Sequence, residues 1–443
     1  MTFYIFILAL LLSLQGFAQA TISGSFTPPE DFSWLVVYQL QTDGQNYIAD
    51  GRIENGMFSL NLPENSLAGS YRLVYGIPGD QFYFDVIYDA KEDISLLFDK
   101  EQGLSFTDSL ENELLNSYYQ EINATEEQII NSYLDGTANT PEFNNLILRL
   151  GQTQENYEDV SDGLIAGHFI KANAPYIPSG SEKFQDYVTH KKEQYFASLD
   201  VCDTVLQASG YLIEKLSDFV FTEFALVSMN QSQMEEAINQ NVETLNAVLN
   251  GITTDHRLHV FFTLWKQATE RGFHSTADFI YDNYLKLLAM ENDSPQIIQQ
   301  VETQNRLRVG SKAPNIFWQV GDEGRTLHTT DTAQNYLLVF WSSTCSHCLH
   351  ELPRLQEFLK ENKGIKVIAI GLEDDDETWK KEAAQFTRFE HGISLGKWES
   401  SVASLYDIKR TPTYYFLDED KRIVAKPRDY EHLMEFLVEH TVH

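Results

Sequence analysis

Cysteine is scarce in this 443-residue chain, which holds only Cys202, Cys345 and Cys348. Three thiols exclude a scaffold stapled by several disulfides. Positive charge is also in short supply: 32 Lys+Arg face 65 Asp+Glu, a net charge of −33 at pH 7. The deficit is uneven. From Arg308 onward there are 17 basic and 22 acidic residues, so the part before it carries a net −28. Such a front part repels nucleic acid and anionic membrane surfaces. It could steer a basic client, although solubility alone explains it. Past residue 20 no apolar run is long enough to span a membrane, and no fixed-period repeat is present.

Residues 1–20 read as a signal peptide. An apolar stretch over 3–14 leads to Ala18-Gln19-Ala20, a small-x-small cleavage site. Lys and Arg are absent ahead of the stretch, and it is too short for a membrane span. No cysteine follows it, so the sequence offers no lipid anchor. Cleavage after Ala20 and export to a bacterial periplasm as a soluble protein is the expectation.

Residues 21–107 alternate apolar and polar side chains. Phe58, Leu60 and Leu62 share one face; so do Tyr71, Leu73 and Tyr75, and Ile94, Leu96 and Phe98. Asn55-Gly56 marks a hairpin turn. About eight short strands at close spacing predict a small β-sandwich. Residues 108–305 read as an all-α region. Its stripes are Leu212, Leu216 and Phe219; Ile238, Val242, Leu245 and Leu249; and Phe261, Leu264, Trp265 and Ala268. These are core faces of a bundle, a spacer or a dimerisation element, so a homodimer through this region is an open expectation. Breaks fall at residues 174–180 and 292–295. Cys202 has no local partner and reads as a partly buried, inert thiol, with an intermolecular disulfide as the alternative.

Cys345-Ser346-His347-Cys348 follows the apolar run 336–341 and precedes a helical pattern over 349–362. Strand, Cys-x-x-Cys, helix is the context in which this motif does redox chemistry. Unpaired N–H groups and the helix dipole favour a thiolate at Cys345. Cys348, one turn on, lies on the same face and can close a short disulfide, so the first sulfur attacks and the second resolves. A zinc site and a purely structural disulfide are the alternatives. Zinc wants four ligands, and His347 and His350 would complete a set only with awkward geometry. The run 373–377, Glu-Asp-Asp-Asp-Glu, reads as the acidic opening of a helix, without the loop-spaced oxygens of a calcium site.

Several further segments carry a family resemblance. They are Gly310-Ser311-Lys312-Ala313-Pro314, the hairpin tip Gly321-Asp322-Glu323-Gly324, Phe340-Trp341-Ser342-Ser343-Thr344-Cys345, Glu351-Leu352-Pro353, the strand 367–371, and Thr411-Pro412-Thr413 followed by the strand 414–417 and a turn at 418–421. In this order they resemble a thioredoxin-fold α/β module of the TlpA/ResA-like thiol–disulfide oxidoreductases, over residues 308–443. The 21–107 segment is similar to the β-domain that often precedes that module in exported relatives. The resemblance implies a thiol–disulfide oxidoreductase that exchanges disulfides with protein clients. It needs no cofactor beyond the Cys345–Cys348 pair, and as a reductase it draws on a membrane electron donor.

It also implies Cys345 as nucleophile, Cys348 as resolving thiol and Glu351 as proton acceptor for Cys348. Thr411, cis Pro412 and Trp341 fall at the substrate-binding face. His347, between the cysteines, pushes toward an oxidising couple, so oxidase or isomerase is the alternative direction. Departures are Thr344, where the group usually has an aromatic, and Val339, where thioredoxin has a buried Asp. A peroxiredoxin pattern would need Pro at Leu338. A rival of another class is a binding protein whose front domains recruit a partner and whose redox module is auxiliary.

Overall fold

A computed structural model describes residues 20–42, 44–180, 182–223, 228–360 and 364–441. The signal-peptide reading falls on residues outside these, save for Ala20. Among the described residues no helix is long and apolar enough to cross a membrane. The chain divides into two compact units, one up to Asn292 and one from Asp293 onward.

The first unit opens with two four-stranded sheets. One runs Met57–Asn61, Thr21–Thr27, Ile94–Asp99, Gly103–Asp108. The other runs Gly44–Arg52, Trp34–Gln41, Gly69–Val74, Tyr83–Tyr88. Alternation is the cause: Phe58, Leu60, Tyr71, Leu73, Ile94 and Leu96 all enter one core shared by both sheets. The Asn55-Gly56 turn has φ of 50° and 80°, the left-handed pair that suits a tight hairpin. A Cβ on Gly56 would also meet the Phe26 carbonyl oxygen at 2.7 Å.

Helices follow from Leu110–Leu134 to Lys286–Glu291. The stripes read from the sequence form their buried faces: Leu216, Ile238, Val242, Leu245, Phe261 and Trp265 are fully inaccessible. The breaks at 174–180 and 292–295 separate helices as the turn residues predict. Asn112 clamps the first helix to the sheet. Its Oδ1 accepts the Ile87 N–H at 2.8 Å and its Nδ2 donates to the Ile87 carbonyl at 2.7 Å. Cys202, expected to be partly buried, is instead exposed; it precedes the short helix Thr204–Gln207 in a turn closed by the Asp200 side chain.

The second unit takes in helix Pro295–Arg306 and everything after it. A hairpin, Phe317–Val320 and Glu323–Thr326, precedes a five-stranded sheet ordered Glu390–Leu395, Ile365–Glu373, Asn335–Trp341, Thr413–Leu417, Ile423–Ala425. The first three strands are parallel and the last two antiparallel. Strand Asn335–Trp341 is central, and period-two geometry splits it. Tyr336, Leu338 and Phe340 enter the core on one face; Leu337, Val339 and Trp341 enter the other. Burial on both faces explains the unbroken apolar run.

Candidate active site

The central strand ends at Trp341, and helix Ser346–Phe358 starts five residues later. Cys345 is its N-cap: its sulfur accepts the Cys348 backbone N–H at 3.3 Å. The cap is local, since a group at that position meets the free N–H groups of the first turn. Antiparallel pairing then supplies the other wall. Phe340 is registered opposite Thr413, so the residues before Thr413 come up beside those after Phe340. The Cys345 thiol accordingly donates to the Thr411 carbonyl oxygen at 3.3 Å. The Thr411–Pro412 peptide bond is cis.

The two sulfurs differ in environment. Cys345 is half-exposed and Cys348 is buried, both as free thiols. Burial, reinforced by the neighbouring Cys345, pushes the Cys348 thiol well above the ordinary thiol range. Cys345 is thus the accessible sulfur and Cys348 the one that holds its proton.

Glu351 lies one turn after Cys348 on the same helix and is half-buried. Its Oε2 accepts from the Tyr414 hydroxyl at 2.9 Å. Tyr414 is buried, and burial together with Glu351 and Cys348 pushes its hydroxyl upward, so it stays a donor. The sequence reading used Tyr414 only as a strand residue. The signal was its place in the strand that pairs with the cysteine-bearing one.

A second carboxylate was misplaced by that reading. Glu373 does not open a helix: it ends strand Ile365–Glu373 and is 3% exposed, while helix Glu377–Ala383 begins after Asp376. Its Oε1 accepts the Ser343 N–H at 2.5 Å and its Oε2 the Ser342 hydroxyl at 3.3 Å. It therefore ties down the loop that presents Cys345, whose own N–H bonds to the Ser342 carbonyl at 3.1 Å. Parallel strands bring both loops to the same sheet end, and the helix reading failed because it used charge without topology.

Two sequence-predicted residues stand differently from the rest. Trp341 is fully buried, edge-on to Phe386, and forms a floor under the site where a substrate-facing surface was expected. Burial follows from its alternation with Phe340 in a strand covered on both sides. His347 is exposed on the first helical turn, with no hydrogen bond or ion pair among the described residues. Beside Cys345 a groove of about 220 Å³ is lined by Ser342, Thr344, Leu372, Lys397, Trp398 and Thr411. Trp398 is 51% exposed there, and Lys397 pairs with Asp374 at 2.6 Å. Among the described residues no group of three or more His, Cys, Asp or Glu is placed to hold a metal ion.

The sequence profile of the Redoxin family matches residues 308–434. The chain is similar to the thiol-disulfide oxidoreductase ResA of Bacillus cereus, 25% identical over 127 residues, or 28% of this chain and 71% of that protein. It is also similar to ResA of Oceanobacillus iheyensis, 26% identical over 152 residues, covering 33% and 78%. Among solved structures, a domain of a possible thiol-disulfide isomerase from Cytophaga hutchinsonii is 35% identical, covering 30% of this chain and 93% of that one, with a TM-score of 0.27. Residues 308–434 of this chain therefore carry a Redoxin domain, and the C-terminal module is similar to the ResA thiol-disulfide oxidoreductases.

Proposed function

We propose that the Cys345–Cys348 pair is the redox centre, and that it exchanges electrons with protein dithiols and disulfides outside the cytoplasm. The observation that carries this is the asymmetry of the pair: a half-exposed Cys345 sulfur capped by a backbone N–H, beside a buried, protonated Cys348. In the reducing direction the Cys345 thiolate attacks a client disulfide, forming a mixed disulfide and releasing one client thiolate. Cys348 then gives its proton to Glu351, attacks the Cys345 sulfur and releases the second client thiolate. The client is reduced by two electrons, and the pair is left as a disulfide. Tyr414 holds the Glu351 carboxylate in place. The groove bounded by Thr411 and Trp398 receives the client segment, which can pair with the backbone at Thr411.

No cofactor is required beyond the pair. A membrane electron donor recharges it, and residues 1–20 direct export to the periplasm. The half-buried Thr411 edge and the half-exposed sulfur support a protein client over a small one. Equilibration against glutathione tests the reading. A potential near −270 mV or lower fits the reductase. A value near −180 mV or higher reverses the direction to an oxidase or isomerase. A pair that never closes, or a Cys345→Ser variant with full exchange activity, ends the redox reading.

A further inference from the structure

Helix Gly210–Thr222 carries two adjacent stripes. Leu212, Leu216 and Phe219 are buried in the helical core. Tyr211, Glu214, Lys215 and Asp218, at i, i+3, i+4 and i+7, line a cavity in the first unit. Its volume is about 360 Å³, within the range of small-molecule sites. Strand Tyr83–Tyr88 and helix Leu110–Leu134 close the far side, held together by the Asn112–Ile87 clamp. The floor is fixed as well. Arg72 grips Asp85 through two bonds of 2.8 Å, and that pair presses so closely on Gly210 that a Cβ there would meet Asp85 Oδ2 at 2.4 Å.

Two residues of the lining, Lys215 and Tyr211, carry donors that have no acceptor among the described residues. The Lys215 ammonium lies 4.8 Å from the centre of the Tyr195 ring and 5.8 Å from that of Tyr211. Among the described residues, no carboxylate or other acceptor lies within ion-pair or hydrogen-bond reach of it. The Tyr211 hydroxyl is buried and has no hydrogen-bond partner among the described residues. Both groups sit on one helix face, a turn apart. Burial lowers Lys215 to about 8, so it remains mostly charged at pH 7. The Glu126–Lys191 pair, at 2.7 Å, and Asp218 and Glu223 face it only at longer range. Arg72 is paired with Asp85 and is not among the residues that line the cavity.

An uncompensated cation beside an unpaired hydroxyl calls for an acceptor, and an anion satisfies both. Phe169, Leu115 and the tyrosine rings supply an apolar wall for the rest of the molecule. Glu214 and Asp218 in the lining, within a strongly acidic unit, oppose a multiply charged anion. We propose that this cavity binds a small monocarboxylic acid with an aromatic or branched apolar body, its carboxylate bridging Lys215 and Tyr211. This site is independent of the cysteine pair.

The test is calorimetric titration of the full chain with 3-phenylpropionate, with 3-phenylpropanol and 3-phenylpropylamine as matched neutral and cationic probes. The acid is expected to bind saturably, and the alcohol about tenfold more weakly or worse. Lys215→Met loses about tenfold or more in affinity for the acid, and Tyr211→Phe several-fold, as expected for charge-assisted hydrogen bonds. Binding weakens as pH rises past about 8 and Lys215 loses its proton. Far-ultraviolet dichroism and thiol exchange stay at the parent level in both variants. Should Lys215→Met fail to fold, Tyr211→Phe and the pH series decide. The proposal is overturned by absent saturable binding of the acid, by tighter binding of the amine, or by parent affinity in the variants.

Discussion

Replacing Glu351 by Gln separates a proton acceptor from a structural partner. The buried Tyr414 hydroxyl donates to Glu351 Oε2 at 2.9 Å, and Gln keeps an oxygen there. The bond changes from charge-assisted to neutral, a loss of about 1 kcal/mol in stability. Loss of a general base is larger, about 10²- to 10⁴-fold in rate, or about 2.7–5.4 kcal/mol. The burden falls on one step, because Cys345 attack does not need Glu351 while the buried Cys348 must lose its proton. Reduced protein is mixed rapidly with a peptide disulfide, quenched in acid, and its thiols are labelled, across pH 5 to 9. The Glu351→Gln variant should accumulate the Cys345–peptide mixed disulfide, with the deficit shrinking at high pH as hydroxide takes over. Tyr414→Phe, which keeps the carboxylate, should slow the step by only about tenfold or less. Parent-like kinetics in Glu351→Gln, within about threefold and with no mixed disulfide, would refute the proton route.

Three other outcomes are expected. Iodoacetamide at pH 7 should label exposed Cys202 and half-exposed Cys345 and spare Cys348; mapping the adducts by mass spectrometry checks this, and equal labelling of Cys348 contradicts the asymmetry. The raised Cys348 value means the folded state keeps a proton that the unfolded chain releases above about 8.5. That contribution is intact below the unfolded value and is lost as pH rises through it toward the folded one. The urea midpoint of the reduced protein should therefore fall above that pH, and Cys348→Ser should flatten this part of the profile. Asn112→Ala, which leaves the Ile87 N–H and carbonyl unpaired, should cost about 2 kcal/mol by urea denaturation of the first unit, and no measurable loss would argue against the clamp.

Much of the site was legible because its chemistry is local. Cys345 caps a helix because strand, motif and helix follow one another within a few residues, and capping depends on nothing farther away. The stripes Ile238, Val242, Leu245, Leu249 and Phe261, Leu264, Trp265, Ala268 became buried faces for the same reason: period alone decides which side chains share a side. Asn55-Gly56 adopted its left-handed turn because few residue pairs tolerate it.

What the sequence determined by itself was therefore element type, the redox motif and the chain order of the module's parts. Tertiary structure decided which distant groups meet. Glu373 became a buried anchor of the cysteine loop through parallel pairing of two strands. Tyr414 reached Glu351, and Thr411 reached Cys345, through antiparallel register. Trp341 was covered, Cys202 uncovered, and Lys215 set over two tyrosine rings with no counterion among the described residues. Burial and long-range partners are properties of packing between elements, and a residue's neighbours in sequence carry no record of them.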